Sequence, residues 1–202
     1  MWIGILGGTF NPPHLGHLVC AQEAYIQLHL DRVMLIPART PPHKPIDDEP
    51  GVEHRLEMCR VASQGESWLE VSDVEVQRPG PSYTVDTLEV LHSRTPDTEL
   101  FLIMGADIAL GLPKWREPER VVSLARVAVA ERPGTARAAV EEALEQVGRG
   151  DRAQFFDMPE IGISSTLLRE RVRADIPTRF LMPDAVRDYI DRHNLYRGSL
   201  ER

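Results

Sequence analysis

The chain has 202 residues, of which 42% are apolar, enough for one sizeable core, so we expect a single domain over 1–202 with a small helical C-terminal part from about residue 164. The formal net charge of −8 disfavours broad binding to nucleic acid or to anionic membranes, and any affinity for phosphate must therefore be local. Cys20 and Cys59 lie among apolar neighbours, and neither a leader-like nor a membrane-length segment is visible, which predicts a cytoplasmic protein with reduced thiols.

The first predicted element is a buried parallel strand over residues 2 to 6, joined by a glycine-containing loop to a helix that begins near Leu15. Gly7 and Gly8 predict a sharp turn in which the backbone approaches a ligand closely. The N-terminus of the following helix adds N–H groups and a positive dipole end, which attract an anion. Strand, turn and helix together predict a phosphate site.

Two histidines in this loop, His14 and His17, strengthen that prediction. An imidazole donates hydrogen bonds to phosphate oxygens and can carry positive charge near neutral pH. Two alternatives stay open: a pair of ordinary surface histidines, and a zinc site, because histidines at this spacing can ligate a metal. The loop lacks the Gly-Lys-Ser/Thr ending of a Walker A motif, which argues against an ordinary P-loop ATPase.

The rest of the chain alternates between strand-like and helix-like segments. Leu18, Ala21, Tyr25 and Leu28 share one face of the first helix. Further strands are predicted at 33–36, 69–76, 100–104 and 127–130, further helices after Thr84 and at 136–147 and 184–193, and a loop at 148–154. The alternation predicts an α/β fold, a Rossmann-like doubly wound parallel sheet with helices on both faces.

Several polar segments follow the predicted strands directly, where ligands of open α/β sheets bind. Residues 37–45 follow the second strand, Gly105 and Asp107 follow a later one, and Arg132 follows the next. We expect all of them to lie at one edge of the sheet. Asp107 could instead cap the helix that comes after it.

A second anion site is predicted where Ser164, Ser165 and Thr166 precede an apolar leucine pair. Hydroxyls and unpaired N–H groups at the start of a helix can bind an anion, and Arg169 lies one turn further on. A serine-rich helix cap without a ligand is the alternative that stays open.

Two long motifs carry a resemblance to a known family. GGTFNPPHLGH at 7–17 resembles the HxGH signature of the nucleotidyltransferase superfamily, and GISSTLLRERV at 162–172 resembles the ISSTxxR element of the nicotinate mononucleotide adenylyltransferases. Between them, similarity to the same family continues, in chain order, at PPHKP (41–45), GPSYTVDTL (80–88), GAD (105–107), Trp115 and ERPG (131–134). The resemblance therefore spans nearly the whole chain.

This resemblance implies an enzyme of NAD biosynthesis that moves AMP from ATP onto nicotinate mononucleotide, giving deamido-NAD and pyrophosphate. The implied partners are these two small molecules, without nucleic acid or membrane, and the oligomeric state stays open, a homo-oligomer included. Mg²⁺ is expected to accompany ATP, held by substrate oxygens and water, with no metal ligand from protein side chains.

The resemblance also implies residue roles. Catalysis is expected from His14, His17 and Arg169. ATP binding is expected from Gly8, Thr9, Phe10, His14, His17, Gly105, Asp107, Arg132, Ile163, Ser164, Ser165 and Arg169. Acceptor binding is expected from Lys44, Tyr83, Thr84 and Trp115.

Some alternatives remain at single positions. Trp115 could belong to the core rather than stack on a pyridine ring, and Lys44 could be a solvated lysine beside the acidic run 47–49. Asn11 stands where the family's motif mostly has aspartate, and its side chain can still stabilise the turn.

Three rival functions stay open. The first is a relative with another acceptor, nicotinamide mononucleotide or phosphopantetheine; Trp115 and the SYTVDTL segment argue against the latter. The second is a fragment of a class I aminoacyl-tRNA synthetase, although the chain has no KMSKS-like loop and is too short for a tRNA-binding domain. The third is a histidine-ligated metal protein without transferase activity.

Overall fold

The structure is a computed structural model that describes residues 1–42, 46–131, 137–148 and 153–197. Its centre is a parallel sheet of six strands in the order β3-β2-β1-β4-β5-β6. The strands are β1 (Trp2–Gly8), β2 (Arg32–Pro37), β3 (Leu69–Val71), β4 (Glu99–Gly105), β5 (Ala125–Glu131) and β6 (Ala153–Asp157). The fold class predicted from the sequence is thereby confirmed, because this is the strand order of a doubly wound sheet.

Helices connect the strands and cover the sheet. In chain order they are α1 (Leu15–Gln27), α2 (Val52–Ala62), α3 (Val74–Gln77), α4 (Thr84–Arg94), α5 (Ala106–Ala109), α6 (Pro118–Leu124), α7 (Arg137–Glu145), α8 (Ser165–Arg173) and α9 (Asp184–Arg192), with a short 3-10 helix at Leu112–Lys114. None of the described helices is both long and apolar enough to cross a bilayer.

The core lies on both faces of the sheet because its central strands are buried on both sides. The five middle residues of β4 are all buried, as the uninterrupted apolar run at 100–104 predicted. One apolar cluster on one face includes Leu88 and Val121, and a second on the other face includes Ala21 and Leu35. A third joins α8 and α9 to α2, through residues such as Leu168 and Met58.

The helix predicted at 136–147 and the terminal helix are present, and α7 exposes its glutamates while it buries Val140 and Leu144, as expected. Two predictions were wrong. The region 69–76 holds only the three-residue β3 before the chain turns into α3, and part of the loop expected at 148–154 is the start of the edge strand β6. Both misses lie at or beside the edges of the sheet, where strands are short and their apolar pattern is weak.

Candidate functional site

A cleft of about 640 Å³ opens at the carboxyl edge of the sheet, near the place between β1 and β4 where the strand order reverses. It brings together the loop after β1 and the start of α8, so the two predicted anion sites share one cleft. Of the site residues expected from the sequence, those that line it are Thr9, Phe10, His14, His17, Gly105, Asp107, Ile163, Ser164, Ser165 and Arg169.

The turn after β1 differs from the prediction. β1 continues to Gly8, and among the described glycines neither Gly7 nor Gly8 has a positive φ, so the turn is not made by glycine. Phe10, with a φ of 50°, reverses the chain instead. Gly8 serves packing: a Cβ there would lie 3.0 Å from the ring of Phe10, which is itself 1% exposed.

The two histidines form a stacked pair at the start of α1. Their ring centroids are 3.8 Å apart, and the main-chain N–H of His14 donates to His17 Nδ1 at 3.2 Å. Since Nδ1 of His17 accepts a hydrogen bond, its proton resides on Nε2, which is the donor left for a ligand. His14 Nδ1 is buried without a hydrogen-bond partner among the described residues.

Burial also decides the charge of this pair. It lowers the pKa of His14 to about 4, and burial together with the neighbouring His14 lowers the pKa of His17 to about 3. The expectation of positively charged imidazoles near neutral pH therefore does not hold for the protein without substrate. As neutral rings, they offer hydrogen bonds to phosphate rather than charge.

The serines of the second predicted anion site lie at the start of α8, as the sequence indicated. Ser164 is the N-cap, and its hydroxyl accepts from the main-chain N–H of Leu167 at 3.1 Å, so this residue caps α8. Ser165 Oγ donates to the carbonyl of Pro12 at 2.8 Å, which ties α8 to the turn after β1. Of these two serines, Ser164 therefore keeps its hydroxyl proton for a ligand.

Arg169 is buried beside the same turn. Its Nη1 donates to the carbonyl of Asn11 at 3.0 Å, and its Nε donates to Asp48 Oδ2 at 3.3 Å. A guanidinium that is only 7% exposed and yet lines the cleft presents its charge to whatever enters. We call residues 9–17 together with 164–169 the phosphate end of the cleft.

In the sequence Asn11 is only a departure from the family's motif. In the structure it is a junction of the phosphate end, meaning a buried side chain that bonds to separate parts of the chain. It is 3% exposed, its Oδ1 accepts from the hydroxyl of Tyr196 at 2.7 Å, and its Nδ2 donates to the carbonyl of Asp47 at 2.8 Å. Tyr196 lies 185 positions away along the chain, so no local pattern could have indicated this contact.

Arg55 is a second junction that sequence reasoning missed. The side chain is fully buried, and it donates to the carbonyls of Thr9 and Ala38 at 2.8 and 2.7 Å and to Glu49 Oε1 at 2.9 Å. These bonds join the loops that follow β1 and β2. An arginine within an amphipathic helix gives no signal in the sequence that it points inward.

Gly105 and Asp107 lie where the sequence placed them, at the end of β4 and the start of α5. A Cβ on Gly105 would lie 2.6 Å from Asp107 Oδ1, so glycine lets that carboxylate fold back over the end of the strand. The N-cap of α5 is Gly105, and the capping role considered for Asp107 is not observed. Arg132 and Lys44 lie outside the described residues.

The residues expected to bind an acceptor lie apart from the described lining of the cleft. Tyr83 precedes α4, Thr84 begins it, and the guanidinium of Arg116 lies 4.7 Å from the centre of the Tyr83 ring. Trp115 is half-buried against the apolar cluster that includes Leu88. Residues 78–87 together with Trp115 are called the acceptor segment below.

The acceptor segment has its own buried network. Glu75 is 8% exposed and accepts from the hydroxyl of Thr87 at 2.7 Å, and Arg78 Nη2 donates to the same hydroxyl at 2.9 Å. Burial raises the pKa of the Glu75 carboxyl.

The zinc alternative gains no support from the geometry. Within the described ranges, no group of three or more histidine, cysteine, aspartate or glutamate side chains is placed to hold a metal ion. The lone pair of His17 Nδ1 is also already used by the main-chain N–H of His14.

The chain is similar to known proteins over nearly its whole length. Residues 5–171 match the family model described as cytidylyltransferase-like. The probable nicotinate-nucleotide adenylyltransferase of Roseiflexus sp. (strain RS-1) is 46% identical over 195 residues, which cover 96% of this chain and 98% of that protein. The nicotinate-nucleotide adenylyltransferase of Bacillus subtilis (strain 168) is 40% identical, with coverage of 97% and 98%.

The fold also has solved counterparts. The structure of Plasmodium falciparum nicotinic acid mononucleotide adenylyltransferase complexed with NaAD superposes with a TM-score of 0.77 over 96% of this chain and 97% of that one, at 20% identity. The same protein complexed with APC gives a TM-score of 0.76 at 19% identity. At such low identity the likeness supports the architecture alone.

Proposed function

Because the chain belongs to the nicotinate-nucleotide adenylyltransferase family, a nucleotidyltransferase family of NAD biosynthesis, we propose that its cleft transfers AMP from ATP to nicotinate mononucleotide. The products are deamido-NAD and pyrophosphate. The observation that carries this proposal is that the stacked histidine pair and the buried Arg169 line one cleft.

The reaction is an in-line displacement at the α-phosphorus of ATP. A phosphate oxygen of the acceptor forms the new O–P bond, the bond from the α-phosphorus to the oxygen of the leaving pyrophosphate breaks, and no protein nucleophile is needed. Catalysis then consists of positioning two anions and stabilising the charge that develops between them.

His17 is proposed to donate its Nε2–H to the α-phosphate. The hydrogen bond from His14 N–H fixes the tautomer that makes this possible, and the edge of the Phe10 ring, 5.0 Å away between centroids, holds the imidazole in place. His14, with one buried ring nitrogen that has no hydrogen-bond partner in the described part of the chain, is proposed to bind the neighbouring phosphates.

The triphosphate is proposed to lie against α8 and the turn after β1. Arg169 supplies the charge, Ser164 a hydroxyl, and Ile163 with the main chain near Thr9 completes the wall, while Gly8 makes room for Phe10.

Other residues are proposed to bind the nucleoside of ATP and the acceptor. Gly105 and Asp107 are proposed to bind the ribose, which a carboxylate beside the end of β4 can do by accepting from hydroxyls. Tyr83, Thr84 and Trp115 are proposed to bind the nicotinate ring and its carboxylate, because the N-terminus of α4 favours an anion. Arg132 is proposed to bind ATP and Lys44 the acceptor, as the resemblance implies.

The family relationship indicates a divalent cation with ATP. We propose Mg²⁺, entering as MgATP and coordinated by phosphate oxygens and water, because the described cleft holds no cluster of carboxylates for a resident ion. We also propose a cytoplasmic protein, which two buried thiols, Cys20 and Cys59, support. A single domain is proposed because α8 and α9 share an apolar cluster with α2.

One assay tests the proposal directly. Purified protein is supplied with ATP, Mg²⁺ and either nicotinate or nicotinamide mononucleotide, and the release of pyrophosphate is followed. We expect faster release with the acid, and the adenylylated product is identified by mass. No release with either acceptor would reject the proposed function, whereas faster release with the amide would reject only the choice of acceptor.

A further inference from the structure

The acidic run at 47–49 crosses the phosphate end of the cleft along a fixed path. The carbonyl of Asp47 accepts from Asn11 Nδ2 at 2.8 Å, and Glu49 Oε1 accepts from Arg55 Nε at 2.9 Å. Both donors are buried side chains, 3% and 0% exposed. The residue between these two anchors is therefore held in one place by the structure around it.

That middle residue, Asp48, reaches the arginine of the phosphate end. Its φ is 50°, a left-handed conformation that aspartate and asparagine tolerate better than most residues. Its Oδ2 accepts from Arg169 Nε at 3.3 Å and its Oδ1 accepts from Arg173 Nη2 at 2.7 Å. These two arginines lower the pKa of the Asp48 carboxyl, so it is ionised at neutral pH.

The two ion pairs of Asp48 differ in strength and in surroundings. The pair with Arg173 is short but half-exposed, with side chains 40% and 45% accessible, whereas the pair with Arg169 is longer and reaches a side chain only 8% accessible. A single long carboxylate contact is weaker than the bidentate contacts that a phosphate group can make to a guanidinium. An incoming triphosphate is therefore able to replace it.

We propose that Asp48 is a positioning residue for the reaction: in the substrate-free protein its carboxylate holds Arg169, and the triphosphate of ATP takes its place at that guanidinium. This inference rests on the proposed function, specifically on the role of Arg169 in triphosphate binding. Carboxylate and phosphate are acceptors for the same donors, so the two compete for Nε of Arg169. The apparent affinity for ATP is then lowered by the free energy needed to separate Asp48 from Arg169.

The test compares Asp48→Asn with Asp47→Asn. Asparagine keeps the shape of Asp48 and its tolerance of a left-handed φ, but it removes the charge. Asp47→Asn removes one charge from the same run while its anchor to Asn11, a main-chain carbonyl, remains. The two variants thus separate the ion pair with Arg169 from the general negative charge of the run.

Binding of inorganic tripolyphosphate is measured by calorimetry, and KM and kcat are measured for ATP. Breaking an exposed ion pair changes affinity by about two- to fivefold. We expect Asp48→Asn to bind tripolyphosphate tighter than the wild type by about this factor, with an equal fall in the KM for ATP, an unchanged KM for nicotinate mononucleotide, and a smaller effect in Asp47→Asn.

Three outcomes overturn the inference. Equal changes in the two variants would show a general effect of charge, no change in either would show that Asp48 does not compete, and weaker binding in Asp48→Asn would show that Asp48 helps Arg169 to bind the anion. In each case a wild type that still releases pyrophosphate leaves the proposed function intact. A wild type that neither binds tripolyphosphate nor releases pyrophosphate rejects the proposed function itself.

Discussion

The phosphate end and the acceptor segment differ in how far along the chain their contacts reach. At the phosphate end, Ser165 bonds to Pro12 across 153 positions and Tyr196 bonds to Asn11 across 185. In the acceptor segment the bonds span fewer positions: Ser82 Oγ accepts from the main-chain N–H of Arg39 across 43 positions, and the hydroxyl of Thr87 donates to Glu75 across 12. The phosphate end thus joins the two ends of the chain, whereas the bonds of the acceptor segment reach nearer parts of it.

A site can therefore be assembled from distant parts of the chain and still be recognised from short sequence motifs. The phosphate end is the more easily identified of the two because its short motifs are specific, although its geometry depends on remote residues such as Arg55 and Tyr196. The motifs of the acceptor segment are less specific, and its Tyr83, Thr84 and Trp115 are only half-buried. Perturbing each region should therefore have different consequences.

The largest expected effect is on folding, through the buried Arg55. Replacing it by methionine leaves the carbonyls of Thr9 and Ala38 without this donor and removes one of the bonds to Glu49, and we expect a loss of about 3–5 kcal/mol in the free energy of unfolding. Urea denaturation measures it. Arg60→Met is the matched control on the same helix, because both side chains of the Arg60–Glu57 ion pair are exposed to solvent. A similar loss in both variants would contradict the role of Arg55 as a junction.

His17→Ala should break the phosphate end without disturbing the acceptor segment. Removal of one donor aimed at the reacting phosphate lowers kcat by about 10²–10³-fold, and the KM for nicotinate mononucleotide should change far less. His92→Ala, an exposed histidine on α4, is the control. Near-normal turnover in His17→Ala would remove this residue from the reaction.

The pH dependence of stability sharpens the contrast between the regions. The pKa values of His14 and His17, about 4 and 3, lie below the unfolded value of 6.5, so the unfolded chain binds more protons below pH 6.5. Each histidine should therefore remove about 1.4 kcal/mol of stability per pH unit as the pH falls from 6.5 towards 4. The raised pKa of Glu75, whose carboxylate bonds to Thr87 of the acceptor segment, acts with the opposite sign.

Urea unfolding at pH 7, 6 and 5 measures this dependence, with His17→Asn as the comparison variant. Asparagine cannot titrate, so the decline in stability of this variant should be shallower than that of the wild type by about one histidine's share, ~1.4 kcal/mol per pH unit. Identical slopes in the two proteins would mean that His17 is not buried as a neutral ring.

The smallest effect is expected at Trp115. Stacking of a ring on an aromatic side chain contributes about 0.5–1.5 kcal/mol, so Trp115→Ala should raise the KM for nicotinate mononucleotide by up to about tenfold and leave the KM for ATP unchanged. Trp68→Ala is the control, since Trp68 also packs partly buried against a core cluster, with the ring of Tyr25 stacked on it. An equal rise in both would assign Trp115 to the core alone.

The fold class and the two segments that meet at the phosphate end follow from the order of the amino acids alone. Continuous apolar runs such as 100–104 require a strand buried on both faces, and parallel strands place the segments that follow them at one edge. Local chemistry is enough for such features, because period and burial are properties of neighbouring residues. The edge strand β6 was not predicted and β3 was predicted too long, because their patterns are too brief to be distinctive.

How the site is held together and charged follows from the folded chain and not from any local pattern. The left-handed turn at Phe10, the neutral state of His14 and His17, and the junction at Asn11 all follow from burial or from contacts with residues far along the chain. A pKa depends on how much water the folded protein leaves around a group, and an inward-facing side chain depends on what packs over it. Neither quantity exists until the chain has folded.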